Sequence, residues 1–167
     1  ADSNLLAYTR NQALAQTINL AERSSVESDV RTIADAGFTA IRLVLSPFQE
    51  MQYEQGQWRF NAAWLTDVER IIERALEHEL AIILDHHEYF SMGETPEKLH
   101  DQYMESWRLL GQHFAHLPND TVFFELLNEP NTHLTPKLWN TYLAEAIAVV
   151  RKTNPERTLI IGPGNWN

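Results

Sequence analysis

Short apolar runs rich in β-branched residues recur along this chain at a spacing of roughly 40 residues, and a helical pattern fills each gap between them. The runs open at Phe38, Leu80, Thr121 and Thr158. Their apolarity is nearly continuous rather than alternating, which marks strands covered on both faces and therefore a parallel sheet. Right-handed helical crossovers join such strands, so the expected fold is α/β and part of a TIM-type (β/α) barrel. Four to five β/α units can be read, about half of the eight that close a barrel. A weaker candidate strand, Thr17-Ile18-Asn19-Leu20, precedes them. The 167 residues read as a single domain, 1–167, with no linker and enough length to bury a core.

Helix ends are signalled locally. Ser25 reads as a cap before Val26, Val30, Ile33 and Ala34, a stripe that stops at Gly37. Asn61 caps a helix carrying Leu65, Val68, Ile72, Ala75 and Leu76 at helical spacing. Thr95-Pro96 and Thr135-Pro136 each set a capping residue before a proline at the first helical position. The first of these helices is expected to reach about His116 and the second about Thr153-Asn154-Pro155. Ser91-Met92-Gly93 reads as a loop, as does the stretch holding Tyr53 and Trp58. Trp64, Trp107 and Trp139 are expected in the core, and His78, His100, His113, His116 and His133 in solvent.

A formal net charge of -10 argues against nucleic acid or an anionic membrane as partner, because both demand positive surface. The charge suits a neutral ligand such as a sugar or a peptide. With no cysteine there is no disulfide framework, thiolate metal site or cysteine nucleophile. No apolar run reaches the length of a membrane span. The chain starts at Ala1 without a signal-like segment, so a leader is expected to have been removed or to lie outside this sequence.

Polar groups collect at the strand ends: Arg42; His87 with His86 and Glu88; Asn128 with Glu129; and Asn165 with Trp166. A parallel sheet brings these ends to one face. Pro130 cannot continue a central ladder, and it is expected to hold Glu129 in extended backbone. Arg42 lies within an apolar run and is expected to face inward with a partner, for which the strand residue Glu125 is a candidate. Adjacent histidines on a strand point to opposite faces. That counts against a metal site built from Asp85, His86, His87 and Glu88, and neither metal nor cofactor is expected.

Five groups of residues carry a resemblance. They are Ala36-Gly37-Phe38 with Ile41-Arg42, Ile83-Leu84-Asp85 with His87 and Tyr89, and Phe124 through Pro130. Leu134-Thr135-Pro136 with Trp139-Asn140, and Ile160-Ile161-Gly162 with Trp166, complete the set. Together they resemble glycoside hydrolase family 5, the cellulase group, from about Ala36 to the last residue. The resemblance implies an O-glycosyl hydrolase of the endoglucanase kind acting on β-1,4-glucan, polymeric or oligomeric, outside the cell. It implies that Glu129 is the general acid/base and that Asn128 hydrogen-bonds the sugar 2-hydroxyl. It further implies that Arg42 and His87 position the nucleophilic carboxylate, while Trp166 offers a flat face to a pyranose ring.

Relatives often carry Asn-x-His-His-Tyr where this chain has Asp85-His86-His87-Glu88-Tyr89. Aligning His87 with the first family histidine leaves Glu88 in place of the second and makes His86 structural. The family nucleophile lies on the seventh strand, beyond what this chain matches, so no nucleophile is expected among these residues. The alternative reading is a catalytically incomplete half-barrel that binds carbohydrate, or that closes as a homodimer through exposed sheet edges.

Overall fold

The structure, a computed structural model, describes residues 5–7, 14–19 and 26–166, with side chains from residue 29 onward. In chain order the elements are β1 (Leu5–Ala7), β2 (Leu14–Asn19), α1 (Val26–Asp35), β3 (Ala40–Leu45) and α2 (Pro47–Glu50). Next come β4 (Met51–Glu54), β5 (Gln57–Phe60), α3 (Ala62–Glu77), β6 (Ala81–His86), α4 (Tyr89–Glu94) and α5 (Pro96–His113). Then follow β7 (Val122–Glu125), α6 (Pro136–Arg151) and β8 (Leu159–Ile160). The main sheet runs β1-β2-β3-β6-β7-β8, and every pair in it is parallel except β1 with β2. Five parallel strands with helices between them are the staves of a (β/α) barrel, about half of the full set. The expected cap Ser25 lies outside the described residues.

Strand period two divides the sheet into two unlike faces. Ile41, Leu43 and Leu45 of β3, Ile82 and Leu84 of β6, and Val122 and Phe124 of β7 are fully buried. This is the helix side: the Phe124 ring lies 5.5 Å from that of Trp107 on α5. Trp64, Trp107 and Trp139 complete that core, as the sequence suggests. On the other face Ala40, Arg42, Ile83 and Phe123 are only half-buried. Register sets Val44 beside Asp85, Asp85 beside Glu125, and Glu125 beside Ile160. Ladder bonds outlast β7, since Leu126 N–H donates to Ile160 O (3.1 Å) and Asn128 N–H to His86 O (3.1 Å). The Asn-Glu-Pro element is therefore held on both flanks.

Asn61 and Thr135 cap α3 and α6 as expected, accepting from the N–H groups of Ala63 (3.0 Å) and Leu138 (3.3 Å). Thr95 starts α5 without the expected side-chain cap, and its own N–H closes the end of α4 on Ser91 O (3.1 Å). The supposed loop at Ser91–Gly93 is this helix, α4, with Met92 and Gly93 buried. Tyr53 and Trp58 stand opposite each other on a β4–β5 hairpin rather than in a loop. Its turn residues Gln55 and Gly56 both have positive φ (51° and 81°), as a two-residue primed turn requires. Two histidines expected in solvent have partners. His100 bridges Asp101 (2.9 Å) and Glu145 (2.8 Å), and His113 meets Glu69 (2.8 Å).

Arg157, which nothing in the sequence singled out, closes the helix side at the strand entrances. Fully buried, its guanidinium donates to the carbonyls of Pro118 (2.6 Å), Val122 (3.0 Å), Phe114 (3.2 Å) and Leu117 (2.8 Å). It also lies 4.9 Å over the Phe124 ring. Carbonyls at the end of α5 carry the negative end of the helix dipole, which suits a cation that has no carboxylate beside it. Replacing Arg157 with methionine keeps apolar volume but leaves those acceptors buried and unpaired. Urea unfolding should then register a loss of about 3 kcal/mol or more, and a loss below about 1 kcal/mol would contradict this role.

Candidate active site

Arg42 is the hub of the half-buried face. Its planar fork reaches Glu125 through two bonds, Nε to Oε2 (2.6 Å) and Nη2 to Oε1 (2.8 Å). The same Nη2 donates to Asn128 Oδ1 (2.8 Å) and lies 3.1 Å from Asp85 Oδ2. Three strands are thus tied at their carboxyl ends by one guanidinium, with the bidentate geometry that Lys could not reproduce. Burial would weaken the cation. The Glu125 hydrogen bond and the charges of Asp85, Glu125 and Glu129 outweigh it, raising the Arg42 pKa above its ordinary value. The expected inward, paired Arg42 and the buried structural Glu125 are both observed.

This pairing fixes the Asn128 amide. Oδ1 accepts from Arg42, so the amide NH₂ points away from the guanidinium, and it makes no hydrogen bond among the described residues. Asp85, fully buried, accepts from His87 Nδ1 (2.5 Å), which leaves His87 Nε2 for other partners. Burial pushes the Asp85 carboxyl above the usual carboxylate range, against the opposing pull of His87 and Arg42. Tyr89 packs edge-on to the rings of both His87 (5.1 Å) and Trp166 (6.3 Å). Trp166 itself is 54% exposed.

Glu129 follows Asn128 and is half-buried, and its carboxylate makes no hydrogen bond among the described residues. Its backbone is not extended, contrary to expectation: φ is +39°, in the left-handed region. The pre-proline preference has been overridden by the bonds that hold the following loop. Pro130 O accepts from the N–H groups of Asn165 (2.8 Å) and Trp166 (3.1 Å), and Asn131 O accepts from Leu134 N–H (2.9 Å). The candidate platform and the candidate acid are therefore joined through backbone.

The structure takes two candidates away from this cluster. His86 lies on the helix face, as period two demands, with its ring between those of Phe48 (5.4 Å), Tyr103 (5.0 Å) and Trp107 (5.6 Å). Ser106 Oγ gives its proton to Tyr103 O (2.7 Å), so His86 Nε2–H is the donor to Ser106 (2.9 Å). Burial holds the His86 pKa down to about 3, and the ring is neutral. Glu88 is buried and turned toward α2, accepting from Phe48 N–H (2.9 Å) and Ser91 Oγ (3.3 Å). Both of its oxygens are thus engaged within the fold. Asp85, which the sequence offered as part of a motif and as a disfavoured metal ligand but not as a site residue, belongs to the cluster. Its i, i+2 spacing from His87 was the available signal. Among the described residues no group of three or more His, Asp or Glu is arranged to hold a metal ion.

A half-buried carboxylate next to an oriented amide, a histidine nitrogen and an exposed indole can orient a polyhydroxylated ring and deliver a proton to it. The family model described as cellulase, glycosyl hydrolase family 5, matches residues 9–167. Endoglucanase 3 of Fibrobacter succinogenes is 27% identical over 158 residues, covering 84% of this chain and 24% of that protein. Endoglucanase C of Acetivibrio thermocellus is 28% identical over 151 residues, covering 84% of this chain and 43% of that protein. Solved structures of Thermotoga maritima Cel5A with cellobiose and with mannotriose superpose with TM-scores of 0.78 and 0.79 at 28% identity. Each match covers 84% of this chain and 45% of that one, so the chain spans less than half the length of these relatives.

The buried neutral His86 has a measurable consequence. Unfolded, a histidine takes up its proton near pH 6.5, whereas folded His86 does so only near 3. Between these values the unfolded state binds the extra proton, so stability falls as pH drops below about 6.5, by at most about 1.4 kcal/mol per pH unit. Urea unfolding at pH 7, 6 and 5 should show a shallower acid slope in His86→Gln than in the parent chain.

Proposed function

The chain belongs to the cellulase family, glycosyl hydrolase family 5, and from that premise we propose that it acts on β-1,4-glucan with Glu129 as general acid/base. The observation that carries this reading is the pairing of Arg42 with Asn128. That bond turns the Asn128 NH₂ away from the guanidinium, in the residue next to a carboxylate that makes no hydrogen bond among the described residues. Glu129 would protonate the departing glycosidic oxygen and then take a proton from the attacking water. Asn128 would donate to the 2-hydroxyl of the bound sugar, a contact that tightens as the ring approaches an oxocarbenium ion. His87, oriented by Asp85, would donate or accept at a neighbouring hydroxyl or carboxylate through Nε2. Trp166 would stack on a pyranose face. A neutral polysaccharide is compatible with the strongly negative chain, and its polymeric nature puts the site of action outside the cell. The cellobiose and mannotriose complexes of the Thermotoga protein support oligosaccharides of either backbone as test ligands.

Retention needs a second carboxylate about 5–5.5 Å from the first. Within the cluster, Asp85 and Glu125 are held by Arg42 and His87, which suits them to orienting work rather than to attack. The nucleophile in this reading is a carboxylate outside the described cluster.

Reducing-sugar release from soluble β-1,4-glucan should vanish in Glu129→Gln. Undiminished release in that variant would end the assignment of the acid. Asn128→Ala should lower kcat by about 10²–10³-fold, the cost typical of removing one transition-state donor. Measuring the rate against chain concentration separates a site complete in one copy from one completed by a second copy. The first gives a linear dependence and the second a steeper one.

A further inference from the structure

We propose that Asn131 is a positioning residue that locks the strained backbone of Glu129 and so aims its carboxylate; this rests on the reading of Glu129 as the acid/base. Asn131 is almost wholly buried, and its side chain is fully engaged. Nδ2 reaches back two residues to donate to Glu129 O (2.7 Å) and also to Tyr89 O (3.3 Å). Oδ1 accepts from Thr132 Oγ1 (2.7 Å). Asn131 therefore stands between two left-handed residues, Glu129 (φ +39°) and Thr132 (φ +49°). Neither residue adopts that conformation without help, and one before proline least of all.

The fold makes room for this amide at a specific point. A Cβ on Gly93 of α4 would collide with Asn131 Oδ1, so only glycine allows the helix this close. Gly93 O in turn accepts from His133 N–H (2.9 Å), stitching α4 to the same loop. Since Asn131 also holds the Tyr89 carbonyl, a single buried amide sets both Glu129 and the ring that contacts His87 and Trp166. When this amide is lost, Glu129 is free to relax toward extended backbone and swing its carboxylate off line.

Asn131→Asp is the sharpest test, because it keeps the shape but sets a carboxylate against two carbonyl oxygens. Thr132→Val and Thr132→Ser, at an exposed position, form a second arm that leaves the fold intact. The valine removes the hydroxyl that holds Oδ1, and the serine restores it. Two readouts are taken on the full chain: the three-bond HN–Hα coupling of Glu129 by NMR, which rises when left-handed backbone becomes extended, and kcat with KM on β-1,4-glucan. The expected result is a raised coupling in Asn131→Asp and Thr132→Val but not in Thr132→Ser. It is accompanied by a kcat loss of about 10²-fold in Asn131→Asp, the scale of a misplaced catalytic group, with KM nearly unchanged. An unchanged Glu129 coupling in both Asn131→Asp and Thr132→Val overturns the proposal, whatever the rates. If Glu129→Gln keeps full activity while the coupling moves as expected, the acid/base reading fails and the backbone lock stands. Where turnover is too slow to measure, the coupling alone decides.

Discussion

The half-buried face of this sheet depends on one guanidinium. Without Arg42, Asp85 and Glu125 would face each other across adjacent strands as two buried carboxylates that could not both stay ionised. With it, both become fixed acceptors, and the third bond, to Asn128, fixes the orientation of an amide. The geometry matters more than the charge. A fork can hold a carboxylate by two bonds and still extend one amine to a neighbour, whereas an ammonium offers a single point. Stability and candidate chemistry thus share the same side chain: it closes the strand ends and orients the Asn128 amide next to Glu129.

The other face relies on a cation of the same kind used differently. Arg157 has no carboxylate within its hydrogen bonds and is surrounded by main-chain carbonyls and the Phe124 ring. It joins the end of α5 to the start of β7. The two arginines sit at opposite ends of the strands, one at the entrance beneath the helices and one at the exit on the open face. His86 and His87 express the same division within two residues. The first is buried and neutral among aromatic rings, and the second is held by Asp85 at the open face.

The loop after β7 is where local preference and tertiary structure disagree most. A residue before proline favours extended backbone, yet Glu129 is left-handed. Such strain persists only where surroundings over-determine it, and here three consecutive carbonyls are held: Glu129 by the Asn131 side chain, Pro130 by Asn165 and Trp166, and Asn131 by Leu134. Those partners come from the loop itself, at Asn131 and Leu134, and from the segment after β8, at Asn165 and Trp166. Sequence motifs report which residues stand at a strand end. They do not report the torsion at which a distant loop will clamp one of them.

Legibility followed the range of the interaction. Strands Ala40–Leu45, Ala81–His86 and Val122–Glu125 declared themselves through apolar runs, and Asn61 and Thr135 through capping chemistry, because these signals act within a few residues. The Gln55-Gly56 turn was also local, but its sequence is a weak hairpin signal beside Asn-Gly. The sequence by itself determined a parallel α/β sheet, the gathering of Arg42, His87, Asn128 and Glu129 at one end of it, and the separation of His86 from His87, all consequences of period and connectivity. Only the tertiary structure decided that α4 fills the space after β6, that Glu88 turns toward α2, that Arg157 closes the helix side and that Asn131 holds Glu129. The bonds of Glu88 to α2 and of Arg157 to main-chain carbonyls join residues 35 or more positions apart. Even the short-range bond from Asn131 to Glu129 depends on a loop that distant segments hold, so no local rule specifies which buried donor will find which acceptor.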